Sequence, residues 1–287
     1  MRYRKISIVL TAIILVLAFS GLYRCLSDDE SGTYVLLTID TERDFPPYLD
    51  TYQGIDVGIP IILGLFEEYG VNGTFLVTGN VANYYPELVR EISSNHEIGN
   101  HSLYHDEPLY SLSYEENYLR IDESTRILEE ITGKNITSFR SPGHSCDSEL
   151  LEILESFGYL VEASAYKGDS YPYYPSCDDW TKAGEMEILR VPVSNAPNYF
   201  YPFFFYEESW VDAYLKVIEG QIDKDIKVVV IGMHPWEFCD LEIDGDFEST
   251  ERICGSETIN KLTELLEYLE DKDIEYITLS QAYELFS

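Results

Sequence analysis

The chain has 287 residues, of which 45% are hydrophobic and 14% aromatic, so it contains enough apolar residues to bury a substantial core. Barrels of the all-β and α/β classes often use this length as one domain, and we expect a single domain here. The chain carries 52 acidic and 19 basic residues, which gives a formal net charge of -33. Such a charge disfavours nucleic acids and other polyanions as partners and otherwise serves solubility.

Residues 1–27 are predicted to be a signal peptide or a membrane anchor that precedes a domain at residues 28–287. Arg2, Arg4 and Lys5 come before an uncharged run at residues 6–23, which is long enough to cross the hydrocarbon core of a bilayer. The run has no polar face, which argues against a buried core helix. Because the stronger positive cluster is N-terminal, the positive-inside rule predicts that the rest of the chain is extracytoplasmic, either secreted or anchored through residues 6–23.

From Thr33 onward, short apolar runs alternate with longer stretches of helical periodicity, the pattern of βα units around a parallel sheet. No internal repeat or low-complexity linker interrupts the series, which favours one barrel-like α/β domain of about seven strands over two domains. The predicted strands are 33–39, 74–78, 97–100, 159–163, 188–193, 228–232 and 276–279. The predicted helices include 114–131, 149–157 and 258–269.

The first predicted strand is apolar until it ends in Asp40-Thr41-Glu42. Residues i and i+2 point the same way in an extended chain, so the two carboxylates can converge on one point. Two close carboxylates repel each other unless a cation or a proton lies between them. In so acidic a chain, the alternative is a solvated acidic loop.

The third predicted strand is followed by His101 and His105. Two histidines four residues apart lie on one face of a helical turn, a spacing that lets one metal take both imidazoles, although an isolated pair also occurs by chance. In parallel α/β domains, reactive residues gather at the carboxyl ends of the strands. Two imidazoles and one carboxylate, with one coordination position left open, would make a hydrolytic metal site.

Two more charged or titratable residues follow apolar strands. Arg140 can hold a catalytic carboxylate ionised through a bidentate pair, or it can form a surface salt bridge. His234 follows the apolar run 228–232 and can act as a general acid near neutral pH, or it can be a hydrogen-bonded core histidine.

The loop at 167–184 is rich in Tyr, Pro and Trp. Aromatic faces can stack on sugar rings, and the alternative is a packed cover over the core.

Four cysteines remain after the N-terminal segment, an even number that predicts two disulfides in an oxidising compartment. The simplest of the three connectivities joins Cys146 to Cys177 and Cys239 to Cys254, and buried free thiols are the alternative.

The order of these motifs resembles the polysaccharide deacetylases, carbohydrate esterase family 4, whose members share a chitooligosaccharide deacetylase homology domain. The motifs are an acid pair, H-S-x-x-H, R-x-P and an apolar strand that ends in H-P-W-E. The resemblance covers about residues 33–286 and closes on Tyr276-Ile277-Thr278-Leu279-Ser280, which is similar to the last strand and helix of the family. It implies a distorted (β/α)7 barrel with zinc or a similar divalent ion.

The resemblance implies the metal ligands. The commonest members place a metal-binding aspartate directly after the catalytic base, where this chain has Thr41. A sub-branch carries the ligand two residues after the base in an Asp-x-Glu pattern, and this implies Glu42, together with His101 and His105, as ligands of Zn2+ or another divalent transition metal.

The resemblance also implies the catalytic roles. Asp40 matches the base, Arg140 the arginine that orients it, and His234 the general acid. Glu162 is the candidate for the acidic residue that tunes the histidine, and Asp179 is its rival.

Taken together, the resemblance implies a hydrolase that removes N-acetyl groups from an extracellular amino-sugar polysaccharide, with an N-acetylated glycan as partner and no nucleic acid. One alternative is an amidohydrolase of the same fold that acts on a small amide or ureide. Another is a catalytically silent carbohydrate-binding protein, against which the intact site residues argue.

Overall fold

A parallel sheet built around one apolar strand organises the structure. The computed structural model describes residues 32–106, 109–164, 171–194, 220, 228–241 and 254–287. In chain order, the strands are β1 (Thr33–Thr41), β2 (Thr74–Val77), β3 (Glu97–Asn100), β4 (Ser138–Phe139), β5 (Val161–Glu162), β6 (Leu189–Arg190), β7 (Val228–Met233) and β8 (Ile274–Tyr276). The sheet order is β6-β5-β4-β3-β2-β1-β7, with β8 paired to β1.

The pairings make the sheet a barrel. Every pairing between these strands is parallel. Beyond β6, the backbone N–H of Ser194 donates to the carbonyl of Val230 in β7 at 2.9 Å, and the Ser194 hydroxyl accepts the N–H of Val230 at 3.0 Å. These bonds link the two ends of the strand order, and the prediction of a distorted (β/α)7 barrel is confirmed.

Helices follow most of the strands. They are α1 (Ile59–Glu68), α2 (Gly79–Tyr84), α3 (Pro86–Ile92), α4 (Tyr114–Thr132), α5 (Ser148–Ser156), α6 (Ser256–Glu270) and α7 (Leu279–Phe286), with a π-helix at Gly54–Gly58 and 3-10 helices at Leu109–Ser111, Pro142–His144 and Pro235–Phe238. The three predicted helices are confirmed as α4, α5 and α6. A capping box between Ser113 and Glu116 starts α4, and Gly133, with a φ of 67°, ends it.

The bounds of three predicted strands differ from those in the structure. Predicted strands 159–163 and 188–193 shorten to the two-residue strands β5 and β6. The predicted strand 276–279 lies instead at Ile274–Tyr276, because the Thr278 side chain accepts the Gln281 N–H and caps α7.

The alternation along β1 decides which side chains face the barrel interior. Val35, Leu37 and Ile39 pack in the large core that includes helix residues, whereas Leu36 packs in a separate cluster with residues of β5, β7 and α7. Since side chains two apart in a strand share a face, Asp40 is on the same side as Leu36. The strand therefore carries its acidic residue on the inner face, at its carboxyl end.

Export of the chain led to two structural predictions, a membrane-crossing segment and two disulfides. Among the described residues, no helix has the length and apolar character needed to cross a membrane, and the predicted segment at residues 6–23 lies outside the described residues. The two expected disulfides are not formed, which corrects that prediction. Cys239 and Cys254 are buried in a small apolar cluster, where the Cys239 thiol donates instead to the Trp236 carbonyl at 3.3 Å.

Candidate active site

The carboxyl ends of four strands bring the predicted residues together. Asp40 lies in β1 and Glu42 just beyond it, while His101, Arg140 and His234 directly follow β3, β4 and β7. All five are buried. Because parallel strands place their carboxyl ends at one edge, residues up to 194 positions apart in the chain share one site.

Glu42, His101 and His105 form a cluster with the geometry of a metal site. Glu42 Oε2 lies 3.1 Å from His101 Nε2 and 3.1 Å from His105 Nε2. One ligand atom from each residue falls within 4.8 Å of the others. The expectation that the two histidines share a helical turn is wrong, since residues 101–105 are irregular and Ser102 has a φ of 64°.

Contacts around the cluster orient the imidazoles. A carbonyl can only accept, so His101 donates from Nδ1 to the backbone carbonyl of Arg140 at 2.8 Å and presents Nε2 to Glu42. The backbone N–H groups of Gly79 and Asn80 bind the carbonyls of Ser102 and Leu103, which ties the loop before His105 to the start of α2. The second ring nitrogen of a metal-bound histidine is usually held in the way that His101 Nδ1 is held here.

The donor set fits a divalent transition metal. Burial alone would raise the pKa of Glu42, but His105, His101 and His234 outweigh it and lower the pKa, so the carboxylate stays ionised. Burial lowers the pKa of His105, which favours the neutral imidazole that binds metal. For His101, burial is outweighed by Asp40 and Glu42, and its pKa is raised. A buried anion between two imidazoles is the ligand set that zinc-type ions take.

Arg140 holds Asp40 ionised. Its Nη1 donates to Asp40 Oδ1 at 2.6 Å. Its other donors go to Thr38 Oγ1 at 2.9 Å and to the Ala163 carbonyl at 2.8 Å, so the pair is not the bidentate one expected from sequence. Burial would raise the pKa of Asp40, but the Arg140 guanidinium and the nearby His101 and His234 hold that pKa well below its usual range.

His234 approaches the same cluster from β7. Its Nε2 lies 3.7 Å from Glu42 Oε1, and its Nδ1 lies 3.5 Å from Glu237 Oε1. Its ring stacks on Trp236 with centroids 4.9 Å apart. Burial would lower the pKa of His234, but Glu237, Glu42 and Asp40 raise it to about 9. The imidazole is therefore ready to carry a proton.

Glu237 is a carboxylate next to His234 to which the sequence analysis assigned no role. Its Oε2 accepts the His234 backbone N–H at 2.8 Å while its Oε1 faces the His234 ring. The signal was available, since H-P-W-E places an acid three residues after the histidine, the spacing of a capping box. His144 was also given no role, although burial and the nearby Arg140 lower its pKa to about 3 and keep it neutral.

The structure brings neither candidate for the tuning residue to His234, which corrects that expectation. Glu162 is fully buried and accepts from Arg190 Nε at 2.7 Å and from the Ser164 N–H at 2.9 Å. Asp179 forms an ion pair with Lys182 at 2.7 Å. Among the described residues, Glu237 is the carboxylate that contacts His234 through both its ring and its backbone.

The aromatic loop acts as a cover where it is described. Residues 167–170 lie outside the described part, but Trp180 lies over the Arg190 guanidinium at 4.8 Å. Tyr173 donates from its hydroxyl to the Trp180 carbonyl at 3.0 Å and pairs with Arg190 through the backbone. These contacts favour the packed-cover interpretation for residues 171–184.

Fold and site together define a class of parallel α/β barrels. At the carboxyl ends of the strands, a candidate Glu/His/His metal site lies beside a buried aspartate–arginine pair and a buried histidine. The family model described as polysaccharide deacetylase matches residues 28–161. Residues 28–161 therefore form a polysaccharide deacetylase domain, and the resemblance seen in the motifs is confirmed.

Individual proteins agree with the family. The chain is 28% identical over 129 residues to the peptidoglycan deacetylase of Helicobacter pylori, a match of 44% of each chain. It is 30% identical over 115 residues to the peptidoglycan-N-acetylmuramic acid deacetylase PdaA of Bacillus subtilis, covering 39% of this chain and 43% of that protein. The matches thus span less than half of the length of these two relatives. A solved Mycobacterium smegmatis structure, described as a polysaccharide deacetylase, has a TM-score of 0.66 at 20% identity over 91% of this chain and 92% of that one, which shows the fold.

Proposed function

We propose that this chain is a metal-dependent hydrolase that removes N-acetyl groups from an amino-sugar polysaccharide outside the cell. One observation carries the proposal: the Glu42 carboxylate lies within 3.1 Å of two imidazole nitrogens and 3.7 Å from the His234 ring. Asp40, held by Arg140, belongs to the same buried site. Two of the relatives are named peptidoglycan deacetylases, so peptidoglycan is the first glycan to test.

Glu42, His101 and His105 would hold the metal, Zn2+ or another divalent transition ion. Two nitrogen donors and one oxygen donor leave a coordination position for water or substrate. Such an ion, when bound, polarises an acyl oxygen and makes water a stronger acid. His101 is already oriented for this role, because the Arg140 carbonyl accepts from its Nδ1 and leaves Nε2 for the ion.

Asp40 and His234 would move the protons. Asp40, kept ionised by Arg140, accepts a proton from the water that attacks the acetyl carbonyl carbon. His234, kept protonated by Glu237, donates a proton to the amine nitrogen as the carbon–nitrogen bond breaks. Acetate and a free amino sugar are the products. Arg140 and Glu237 act by setting the charge and orientation of the two catalytic groups.

An extracytoplasmic polymer is the substrate class that the predicted export segment supports. A signal peptide or anchor at residues 1–27 would deliver the domain at 28–287 to the compartment where peptidoglycan lies. The net charge of -33 disfavours strongly anionic polymers and otherwise serves solubility, so it does not choose between N-acetylglucosamine oligomers and peptidoglycan.

The test is metal content together with acetate release. The purified chain is assayed on N-acetylglucosamine oligomers, on peptidoglycan and on small N-acyl amides and ureides, before chelation, after chelation and after metal is restored. We expect chelator-sensitive acetate release from the glycans. Release from small compounds alone would favour the amidohydrolase alternative, and glycan binding without acetate release would favour a silent binding protein.

A further inference from the structure

The turn that follows the catalytic histidine packs against two glycines of the π-helix Gly54–Gly58. A Cβ atom at Gly54 would come within 2.7 Å of the Trp236 Cα, and one at Gly58 within 2.8 Å of the Pro235 carbonyl carbon. Both atoms belong to the backbone of the 3-10 helix Pro235–Phe238, so neither can rotate away. The absence of side chains at these two positions allows the helix and the turn to touch.

The start of the π-helix is itself hydrogen-bonded to the loop that follows β1. Asp44, four residues after Asp40, is fully buried. Its carboxylate accepts the backbone N–H of Gln53 at 2.7 Å, the N–H of Gly54 at 2.8 Å and the Thr51 hydroxyl at 2.7 Å. The start of the helix is thereby held at a set distance from the end of β1. π-helical turns are rare and often occur at functional sites.

The other face of the turn carries the His234 ring. Trp236 stacks on His234 at 4.9 Å and meets Phe45 edge-on at 5.3 Å. A shift of the Pro235-Trp236 backbone therefore moves the ring that His234 rests on. Asp44 thus binds the start of the π-helix, and the π-helix contacts this turn through Gly54 and Gly58.

We infer that Gly54 and Gly58 are positioning residues, which set where His234 presents its proton by letting the π-helix touch the backbone of Pro235 and Trp236. The inference rests on the proposed function, in which His234 protonates the leaving amine. It adds that the position of this acid is set by a backbone contact from outside the family's catalytic motifs.

The experiment separates amide from activated ester hydrolysis in the metal-loaded enzyme. Gly58→Ala should lower kcat for an N-acetylglucosamine oligomer about 10- to 100-fold, since a displacement on the order of 1 Å has this effect on a catalytic group. Hydrolysis of an aryl acetate should stay within about twofold, because a phenolate leaves without a proton from a general acid. KM for the oligomer and metal content should not change.

Gly64→Ala is the matched control. Gly64 lies on α1, where a methyl group added to its Cα would meet no atom within 4 Å, so the same substitution should leave both reactions unchanged. Should Gly58→Ala fail to fold, Asp44→Asn provides a second variant that adds no atom against the Pro235-Trp236 backbone. Its NH2 group replaces one carboxylate oxygen, so the N–H of either Gln53 or Gly54 loses its acceptor, and the variant should give the same amide-selective loss, about threefold to tenfold.

His234→Ala, run in parallel, distinguishes the two ideas. If His234→Ala lowers ester and amide hydrolysis equally, the acid role in the proposed function is overturned together with the inference. If His234→Ala is amide-selective while Gly58→Ala and Asp44→Asn affect both reactions equally, or neither, the positioning role alone is overturned.

Discussion

Two buried carboxylate–guanidinium pairs lie at neighbouring strand ends of the barrel, and they differ in what the carboxylate has left to offer. In the described part of the chain, the one hydrogen bond to the Asp40 carboxylate comes from Arg140 and uses Oδ1. Glu162, by contrast, has both oxygens engaged, one by Arg190 and one by the Ser164 N–H. A carboxylate with one oxygen still available can accept a proton from water, whereas one that is fully hydrogen-bonded stabilises the fold.

The surroundings of the two pairs reinforce the difference. Asp40 is close enough to His101 and His234 for their charges to lower its pKa. Arg190 is covered by Trp180, which lies over its guanidinium at 4.8 Å. The same ion-pair chemistry would therefore serve the proposed reaction at one strand end and packing at the other, and the neighbouring residues decide which.

The largest loss of acetate release should come from removing one of the proposed metal ligands near Asp40. His101→Ala should lose bound metal and reduce acetate release below detection, because one of three donors and its hydrogen bond to the Arg140 carbonyl are lost. Metal analysis of the purified variant and an acetate assay with added zinc measure this. A variant that kept both metal and rate would show that the ligand set is wrong.

Asp40→Asn should lower kcat by about 10²–10⁴-fold, the range for loss of a general base. The amide cannot take a proton from water, but it keeps the size of the carboxylate, so metal content should match that of the unmodified chain. Acetate release and metal analysis on the same sample measure both. A fall in kcat of less than about tenfold would show that Asp40 is not the general base. Asp40 and Glu162 would then not differ in function.

Glu162→Gln should affect stability far more than turnover. It removes the negative charge that the buried Arg190 guanidinium contacts, and we expect a loss of about 3 kcal/mol in the free energy of unfolding. Denaturant unfolding measures the loss, and kcat of the folded enzyme should stay within about threefold, an allowance for small shifts passed on to the site.

The matched control for this substitution is Glu130→Gln. Glu130 pairs with Arg126 at 3.0 Å on the surface of α4, with 65% of its side chain exposed. Removing this charge should change the stability by no more than about 0.5 kcal/mol. Equal losses from the two substitutions would contradict a special structural role for Glu162.

Among the substitutions expected to lower turnover, Glu237→Gln should have the smallest effect. The amide can still accept the His234 backbone N–H, but it removes the negative charge that favours a protonated ring. We expect kcat for the amide to fall about tenfold with metal content unchanged, the scale on which a partner of this kind contributes. Rates of amide and aryl ester hydrolysis, measured in parallel, test this prediction. An equal fall in the ester rate would argue against an effect through His234.

Most of the candidate site was predictable because its residues lie at the ends of apolar strands. The alternation in β1 and the parallel order of the sheet are enough to bring Asp40, Glu42 and His101 to one edge. The partner of Glu162 was not predictable, since Arg190 lies 28 residues away in another short strand. That Glu162 does not meet His234 was also not predictable, because Glu162 lies in a strand of only two residues whose course the local sequence does not determine.

By itself, the sequence determined the strand and helix pattern, the barrel class and the set of polar residues at strand ends, because periodicity and capping are local properties of the chain. Only the tertiary structure decided that Glu237 serves His234, that Glu162 serves Arg190 and that two glycines touch the Pro235-Trp236 backbone. These pairings depend on distances of a few ångströms between strand ends and loops, and such distances follow from how the whole barrel closes.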